Sequence, residues 1–278
     1  MITKIRDIAT QLQAAYPADE AEALAWWIAE ETTGLSRTQL LSGCKITKNF
    51  ANTQIFEPII ARLLRFEPIQ YIFGHTLWCG LDLKVSPATL IPRPETAELI
   101  TVIDERLAVS GQPLRVLDIG TGSGCIAIAL KKRHPNWQVT GIDISAEAIE
   151  IAKENALRNE VEVAFKQLDI LSKNTDSIGT FDIVVSNPPY ICEEEKKEMR
   201  RNVLDYEPHS ALFVPDNDPL VFYRRIAQLQ LGQHLFFEIN EAYAQEMKEM
   251  LVEFRYTDIQ ITNDIYGKPR IIEARSTR

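Results

Sequence analysis

A chain of 278 residues, 45% hydrophobic and 25% charged, has an ordinary globular composition and, at roughly 150 residues per domain, room for two domains. Those proportions exclude a disordered chain, a collagen-like fibre and a mini-protein that needs staples. Asp and Glu outnumber Lys and Arg by 39 to 30, for a net charge of -9. This argues against a general DNA binder, because an acidic surface gains nothing from counterion release along a duplex.

Residues 1–68 read as a helical domain. Ile5, Ile8 and Leu12 recur at helical spacing. Pro17 and Asp19 open a second helix carrying Leu24, Trp26, Trp27 and Ile28, with a stop at Gly34. Ser36 caps a short helix to Leu41, and 49–66 read as a further helix that Pro58 bends or restarts. Residues 69–94 read as a β-hairpin and a stiff connector. IQYIFGHTLW and LDLKVS alternate on either side of Cys79-Gly80, and SPATLIPRPET carries Pro87, Pro92 and Pro94. From 95 to 278 strands and helices take turns. A helix near 95–109 precedes strand 114–119, followed by helix 123–133, strand 137–143, helix 145–158 and strands at 161–168, 181–186 and 234–239. Strands at 258–262 and 270–275 close the chain. The alternation predicts an α/β domain, a parallel sheet covered by helices on both faces, with the last pair finishing it as a hairpin.

The N-terminus is polar, and no run of about 18 apolar residues occurs, so neither a leader nor a membrane span is expected. Cys44, Cys79, Cys125 and Cys192 are scattered without a C-x-x-C pair, which suits a reducing compartment, the cytoplasm. His75, His134, His209 and His234 have no ligand spacing, and no metal is expected.

In a sheet of this kind ligands bind beyond the carboxyl ends of the strands. After the first strand of the second domain stands Asp118-Ile119-Gly120-Thr121-Gly122-Ser123-Gly124, a glycine loop that lets backbone approach a nucleotide. Its G-x-G-x-G spacing, with Cys125 next, departs from the dinucleotide fingerprint and undermines an NAD dehydrogenase. After the second strand Asp143, with Ile144 beside it, can take both hydroxyls of a ribose. After the third, Asp169 can accept from an adenine amino group with Ile170 against the ring. After the fourth comes Asn187-Pro188-Pro189-Tyr190, the most specific segment of the chain. Its prolines have no backbone donors, Asn187 supplies an amide and Tyr190 an aromatic face, so it offers acceptors for an NH2 group and a platform for its planar frame.

DIGTGSG, Asp143 and NPPY together resemble the class I S-adenosylmethionine-dependent methyltransferases that modify planar nitrogen. PIQYIFG (68–74), SPATLIPRPET (86–96), VLDIGTGSGCIAIAL (116–130), SNPPYI (186–191), YEPHSALF (206–213) with FYRRI (222–226), and YGKPRII (266–272) are similar to the release factor glutamine methyltransferases, the HemK/PrmC family. The resemblance implies a Rossmann-like seven-stranded methyltransferase domain joined by a hairpin to a helical domain that docks the protein substrate. It implies S-adenosylmethionine as cofactor and, as acceptor, the side-chain nitrogen of glutamine in the Gly-Gly-Gln motif of class I peptide chain release factors. Cofactor contacts then fall to Asp118, Gly120, Thr121, Gly122, Ser123, Gly124, Asp143, Ile144, Asp169, Ile170 and Asn187. Catalysis falls to Asn187, Pro188 and Tyr190. Substrate contacts fall to Asn187, Pro188, Pro189 and Tyr190, together with Arg93 and Glu95. Ala97 stands where the family usually has Glu, with Glu98 one place later; Val214-Pro215 replaces a common Gly-Gly, and Asn240 replaces a frequent Gly, these last in loops expected to be peripheral.

Two other readings compete. A nucleic-acid methyltransferase acting on adenine N6 or guanine N2 would use the same acceptors, but would need a basic, aromatic-rich recognition surface. The clusters Lys131-Lys132-Arg133, Lys196-Lys197 and Arg200-Arg201 read as solvated helix faces instead. A cofactor-binding scaffold without catalysis would have no use for NPPY. No direct nucleic-acid or membrane partner is expected.

Overall fold

The computed structural model describes residues 2–43, 55–107, 111–173, 175 and 178–277. They form two compact units, one of Met1–Gly74 with Arg200–Tyr206 and one of His75–Met199 with Glu207–Arg278.

The first unit is helical: α1 (Ile2–Leu12), α2 (Ala18–Thr33), α3 (Arg37–Leu41), α4 (Phe56–Leu63) and α5 (Ile69–Phe73). Ile5, Ile8 and Leu12 of α1 meet Ala25, Ile28 and Ala29 of α2 in a buried core that also takes Leu40 and Leu63. Burying each large aliphatic chain contributes about 1.5–3 kcal/mol. Helix α2 ends where Gly34 turns left-handed and its N–H reaches the Glu30 carbonyl. Ser36 and Gln39 cap α3 reciprocally. Pro58 is the third residue of α4, where a missing N–H has no intrahelical partner to lose, so it begins the helix and does not bend it. The earlier part of the expected 49–66 helix, and Cys44, lie outside the described residues.

The hairpin expectation is corrected at its start. IQYIF is helix α5, begun after Pro68 and ended at left-handed Gly74. Ile69, Ile72 and Phe73 follow helical spacing and pack on the first core, so burial of one helical face outweighs the strand-like composition. The hairpin proper is β1 (His75–Trp78) and β2 (Leu81–Lys84), joined by Cys79-Gly80 with both residues at positive φ, as a two-residue type I′ turn requires. Trp78, Leu81 and Leu83 are built into the core of the second unit. Buried Asn155 accepts from the Lys84 N–H (2.6 Å) and donates to the Lys84 carbonyl (2.9 Å) and the Ser123 carbonyl (2.8 Å), so the hairpin is wired to the glycine loop.

The second unit continues with α6 (Thr96–Leu107), β3 (Arg115–Ile119), α7 (Cys125–Arg133), β4 (Gln138–Asp143), α8 (Ala146–Arg158), β5 (Ala164–Gln167), β6 (Phe181–Ser186) and β7 (Ile191–Cys192). The chain then contributes α9 (Arg201–Leu204) to the first unit, where the Arg201 guanidinium lies over the Phe66 ring and the Tyr206 hydroxyl donates to the Arg65 carbonyl. It returns with β8 (Phe213–Val214), α10 (Val221–Leu229), β9 (Gly232–Glu238), α11 (Ala244–Glu253), β10 (Tyr256–Asn263) and β11 (Pro269–Ser276).

Seven strands form one sheet in the order β10-β11-β9-β6-β3-β4-β5. The five central and far strands are parallel, and β11 and β10 close the sheet antiparallel, as the final hairpin predicts. Alternate residues divide the core. Val116, Ile183, Val185 and Phe236 pack on one face with α6, α7 and the hairpin; Leu117, Val184, Leu235 and Phe237 pack on the other with α10 and α11. Among the described residues no helix is long and apolar enough to cross a membrane.

Candidate active site

Strand β3 has β4 on one side and β6 on the other, so the order in which strands are added across the parallel sheet reverses there. The carboxyl ends of the strands open a crevice at such a point. A cavity of about 360 Å³ fills it, within the size range of small-ligand sites. Its wall takes Gly120, Thr121, Gly122 and Ser123 from the end of β3, Asp143 and Ile144 from β4, Asp169 and Ile170 from β5, Asn187, Pro188 and Pro189 from β6, and Arg93 from the proline-rich connector.

The glycine loop is held from below. The Gly120 and Thr121 N–H groups both donate to the Ile142 carbonyl at 2.9 Å. Fully buried Asp118 accepts from the Thr121 hydroxyl (2.7 Å) and the Ala127 N–H (3.2 Å), tying the turn to the start of α7. Burial pushes its carboxyl up to about 7, with nearby Asp143 adding to the rise. Asp118 and Gly124 therefore stand behind the cavity wall. Gly124 has φ +81°, and a Cβ there would lie 3.0 Å from Ile128. Gly141, in the adjacent strand, leaves the space that Phe165 and the Thr121 hydroxyl occupy, since its Cβ would come within 2.7 Å of both.

Asp143 is aimed by backbone. Its Oδ2 accepts from Gly122 N–H and its Oδ1 from Ser145 N–H, each at 2.9 Å, while Ser145 itself caps α8. Its carboxylate keeps lone-pair capacity for a further donor. Burial raises its carboxyl above the ordinary aspartate range, and the backbone donors oppose the rise. Asp169 accepts from the Leu171 N–H (2.8 Å), and Arg225 steadies the same loop through the Ile170 and Ser172 carbonyls.

Asn187 follows β6, whose Ser186 hydroxyl is tied to the Ile119 carbonyl (2.6 Å). The Asn187 side-chain nitrogen donates to Thr96 Oγ1 (3.1 Å), and the Thr96 hydroxyl donates to Glu238 Oε2 (2.6 Å). Tyr190 lies outside the cavity wall. Its ring packs on the second face of the core and its hydroxyl donates to Glu238 Oε1 (3.1 Å). Burial raises the Glu238 carboxyl, opposed by its Thr96 and Tyr190 hydrogen bonds and by Arg270. Glu95 is also outside the wall. Arg93 reaches it, but its guanidinium is paired with Glu207 (2.6 Å), whose other oxygen takes the Ile91 N–H (3.1 Å).

Several residues around the site escaped the sequence reading. Thr96 was visible only as part of the Arg-Pro-Glu-Thr segment. Phe213 and Phe222, which line the cavity, lie in YEPHSALF and FYRRI. Glu238 has a physical signal, a carboxylate directly after the buried apolar run Leu235–Phe237 of a strand covered on both faces. Asn240, expected in a peripheral loop, donates to the Tyr190 carbonyl (3.3 Å) and caps the following turn. Val214 pairs with Cys192 just beyond NPPY. Ala97 packs on the core beside α7.

The open backbone at Gly120 and Gly122, a carboxylate presented at Asp143 and the apolar side chains of Ile144 and Ile170 fit an adenosyl group. Among the described residues no cluster could hold a metal ion.

Residues 96–205 match the family model of the methyltransferase small domain, and residues 4–74 match that of the PrmC N-terminal domain. The chain is 45% identical to a release factor glutamine methyltransferase of Bacteroides thetaiotaomicron over 96% of this chain and 97% of the relative. It is 43% identical to a protein of the same name from Flavobacterium psychrophilum over 94% of each. Among solved structures, a methyltransferase from Pyrococcus furiosus shares the fold with a TM-score of 0.52 at 20% identity, over 79% of this chain and 98% of that one. The hMettl16 catalytic domain, solved with an RNA hairpin, does so with a TM-score of 0.57 at 20% identity, over 72% and 75%. With relatives matched at this identity along nearly their whole length, the chain belongs to the release factor glutamine methyltransferase family.

Proposed function

We propose that the protein transfers a methyl group from S-adenosylmethionine to the side-chain nitrogen (N5) of the glutamine in the Gly-Gly-Gln motif of class I peptide chain release factors, in the cytoplasm. The observation that carries the reading is Asn187-Pro188 on the same cavity as the glycine loop, in a chain of this family.

S-adenosylmethionine, when bound, supplies a methyl group made electrophilic by a positively charged sulfur. In our reading Gly120–Ser123 give its backbone-lined seat, Asp143 accepts from the ribose hydroxyls, Asp169 from the adenine amino group, and Ile144 and Ile170 flank the ring. An amide nitrogen is a poor nucleophile because its lone pair is delocalised. Asn187 Oδ1 and the Pro188 carbonyl accept its two hydrogens, which aims the nitrogen and stabilises the positive charge that grows on it. A strong base is unnecessary, since the proton leaves after the nitrogen has become acidic. The helical unit docks the release factor by surface contacts.

Asp143→Ala is expected to weaken S-adenosylmethionine binding by about 1.5–3 kcal/mol, the cost of a lost charge-assisted hydrogen bond. Calorimetry reads this directly, and wild-type affinity would remove the ribose assignment.

Incubating the protein with methyl-labelled donor and purified release factor tests the whole reading. Mass spectrometry is expected to place the methyl on the glutamine side chain. Label found in RNA or DNA, with none on release factor, would favour the exocyclic-amine alternative. Against that alternative, the basic clusters are largely engaged within the protein. Lys131 and Lys132 donate to backbone carbonyls, Arg133 pairs with Asp104, Lys196 with Glu193, Arg200 with Glu20 and Arg201 with Asp205.

A further inference from the structure

Thr96 is buried at the first turn of α6, between Asn187 and Glu238. Its hydroxyl has one proton, and that proton goes to Glu238 Oε2 at 2.6 Å. Toward Asn187, therefore, Thr96 can only accept, and Asn187 must present its nitrogen, at 3.1 Å. The two ends of a side-chain amide have opposite polarity. With the nitrogen committed to Thr96, the carbonyl oxygen is the end left for the cavity. Had Asn187 been reversed, its NH2 would meet the NH2 of an incoming amide, donor against donor.

The far end of this relay is costly to keep. Glu238 is 1% exposed in β9, flanked by β6 and β11. A carboxylate there loses its hydration and must be repaid by donors. Thr96 and Tyr190 each give one hydrogen bond to its carboxylate, and the Tyr223 hydroxyl donates to its backbone carbonyl (2.8 Å). Arg270 and Glu95 act on it through their charges.

We propose that Glu238 is a positioning residue for methyl transfer: acting through the Thr96 hydroxyl, it fixes Asn187 with its carbonyl oxygen toward the cavity and its nitrogen away. The inference rests on the reading of Asn187 as acceptor for the substrate amide. What the relay needs from Glu238 is an acceptor, not a charge. Glutamine at 238 can take the Thr96 proton on its carbonyl while its NH2 donates to the Tyr190 oxygen. Methionine has the same length and no such acceptor, and it frees the Thr96 proton for Asn187 Oδ1.

Four variants in the full-length protein test this: Glu238→Gln, Glu238→Met, Thr96→Ser and Thr96→Val. With release factor as substrate, Glu238→Met and Thr96→Val are expected to lower kcat by about tenfold or more, the scale of a misaimed acceptor. KM for release factor and Kd for S-adenosylmethionine should stay within about threefold, and Glu238→Gln and Thr96→Ser should keep kcat within about threefold. A second readout is independent of turnover. In protein carrying 15N-asparagine, the Asn187 side-chain amide, assigned by its loss in Asn187→Ala, should keep its wild-type position in the Gln and Ser variants and shift or broaden in the Met and Val variants. If Glu238→Met does not fold, Thr96→Val carries the test. Two results would overturn the proposal: folded Met and Val variants with wild-type kcat and amide signal, or Glu238→Gln failing as badly as Glu238→Met. A wild-type protein that puts no label on release factor would instead reject the function, and the amide signal would still report on the relay.

Discussion

Replacing Asn187 with alanine is expected to lower turnover about a hundredfold while S-adenosylmethionine affinity falls by no more than about threefold. The asymmetry follows from what the side chain touches. Its nitrogen is bonded to Thr96 and its carbonyl is the end left for the cavity, so its loss removes an acceptor that matters most as charge develops on the attacking nitrogen. The fold has little stake in it. Thr96 keeps its bond to Glu238, and the deleted hydrogen bond is worth about 1 kcal/mol of stability. Single-turnover kinetics with saturating release factor, beside calorimetry with the cofactor, separates the two effects. Unchanged turnover would remove Asn187 from the chemistry, and an equal loss in both would make it a cofactor ligand alone.

Full-length release factor is expected to be methylated at least about a hundredfold more efficiently than a short Gly-Gly-Gln peptide, equivalent to some 3 kcal/mol of contacts made away from the reacting nitrogen. Removing the helical unit should abolish most of that advantage and leave kcat/KM on the peptide nearly as it was. The peptide rate is the control for folding, because Arg200–Tyr206 belongs to the helical unit and loses the Phe66 ring and the Arg65 carbonyl when that unit is cut away. A truncated enzyme that still prefers the intact factor would place docking in the second unit.

Much of this molecule could be read from its residues, because the informative signals are local. A strand that ends in Asp118-Ile119 and runs into alternating glycines has few other structures open to it, and Ser36 marks a helix start unaided. IQYIF reads as a strand because its composition favours one, and only the core it packs on favours a helix. Residues at strand ends that line the cavity are legible in the sequence, while the long-range partners behind its wall are hidden. Glu238 is 142 positions from Thr96 and Glu207 is 114 from Arg93, so neither pairing has a signature in sequence spacing. Tyr190 shows the converse: its identity was legible, but the direction of its ring toward the core was not.

Asn155 bears on where the methyltransferase unit can be excised or grafted. The proline run suggests a cut near residue 95, as if everything before it were tether. A chain begun there would strand a buried amide whose acceptor and one of whose two donors are satisfied by Lys84, at about 1–3 kcal/mol for each orphaned group, and would strip Trp78, Leu81 and Leu83 from the face that supports the glycine loop. The transplantable module therefore starts at His75, and any cut or exchange of the helical unit belongs on the N-terminal side of the hairpin.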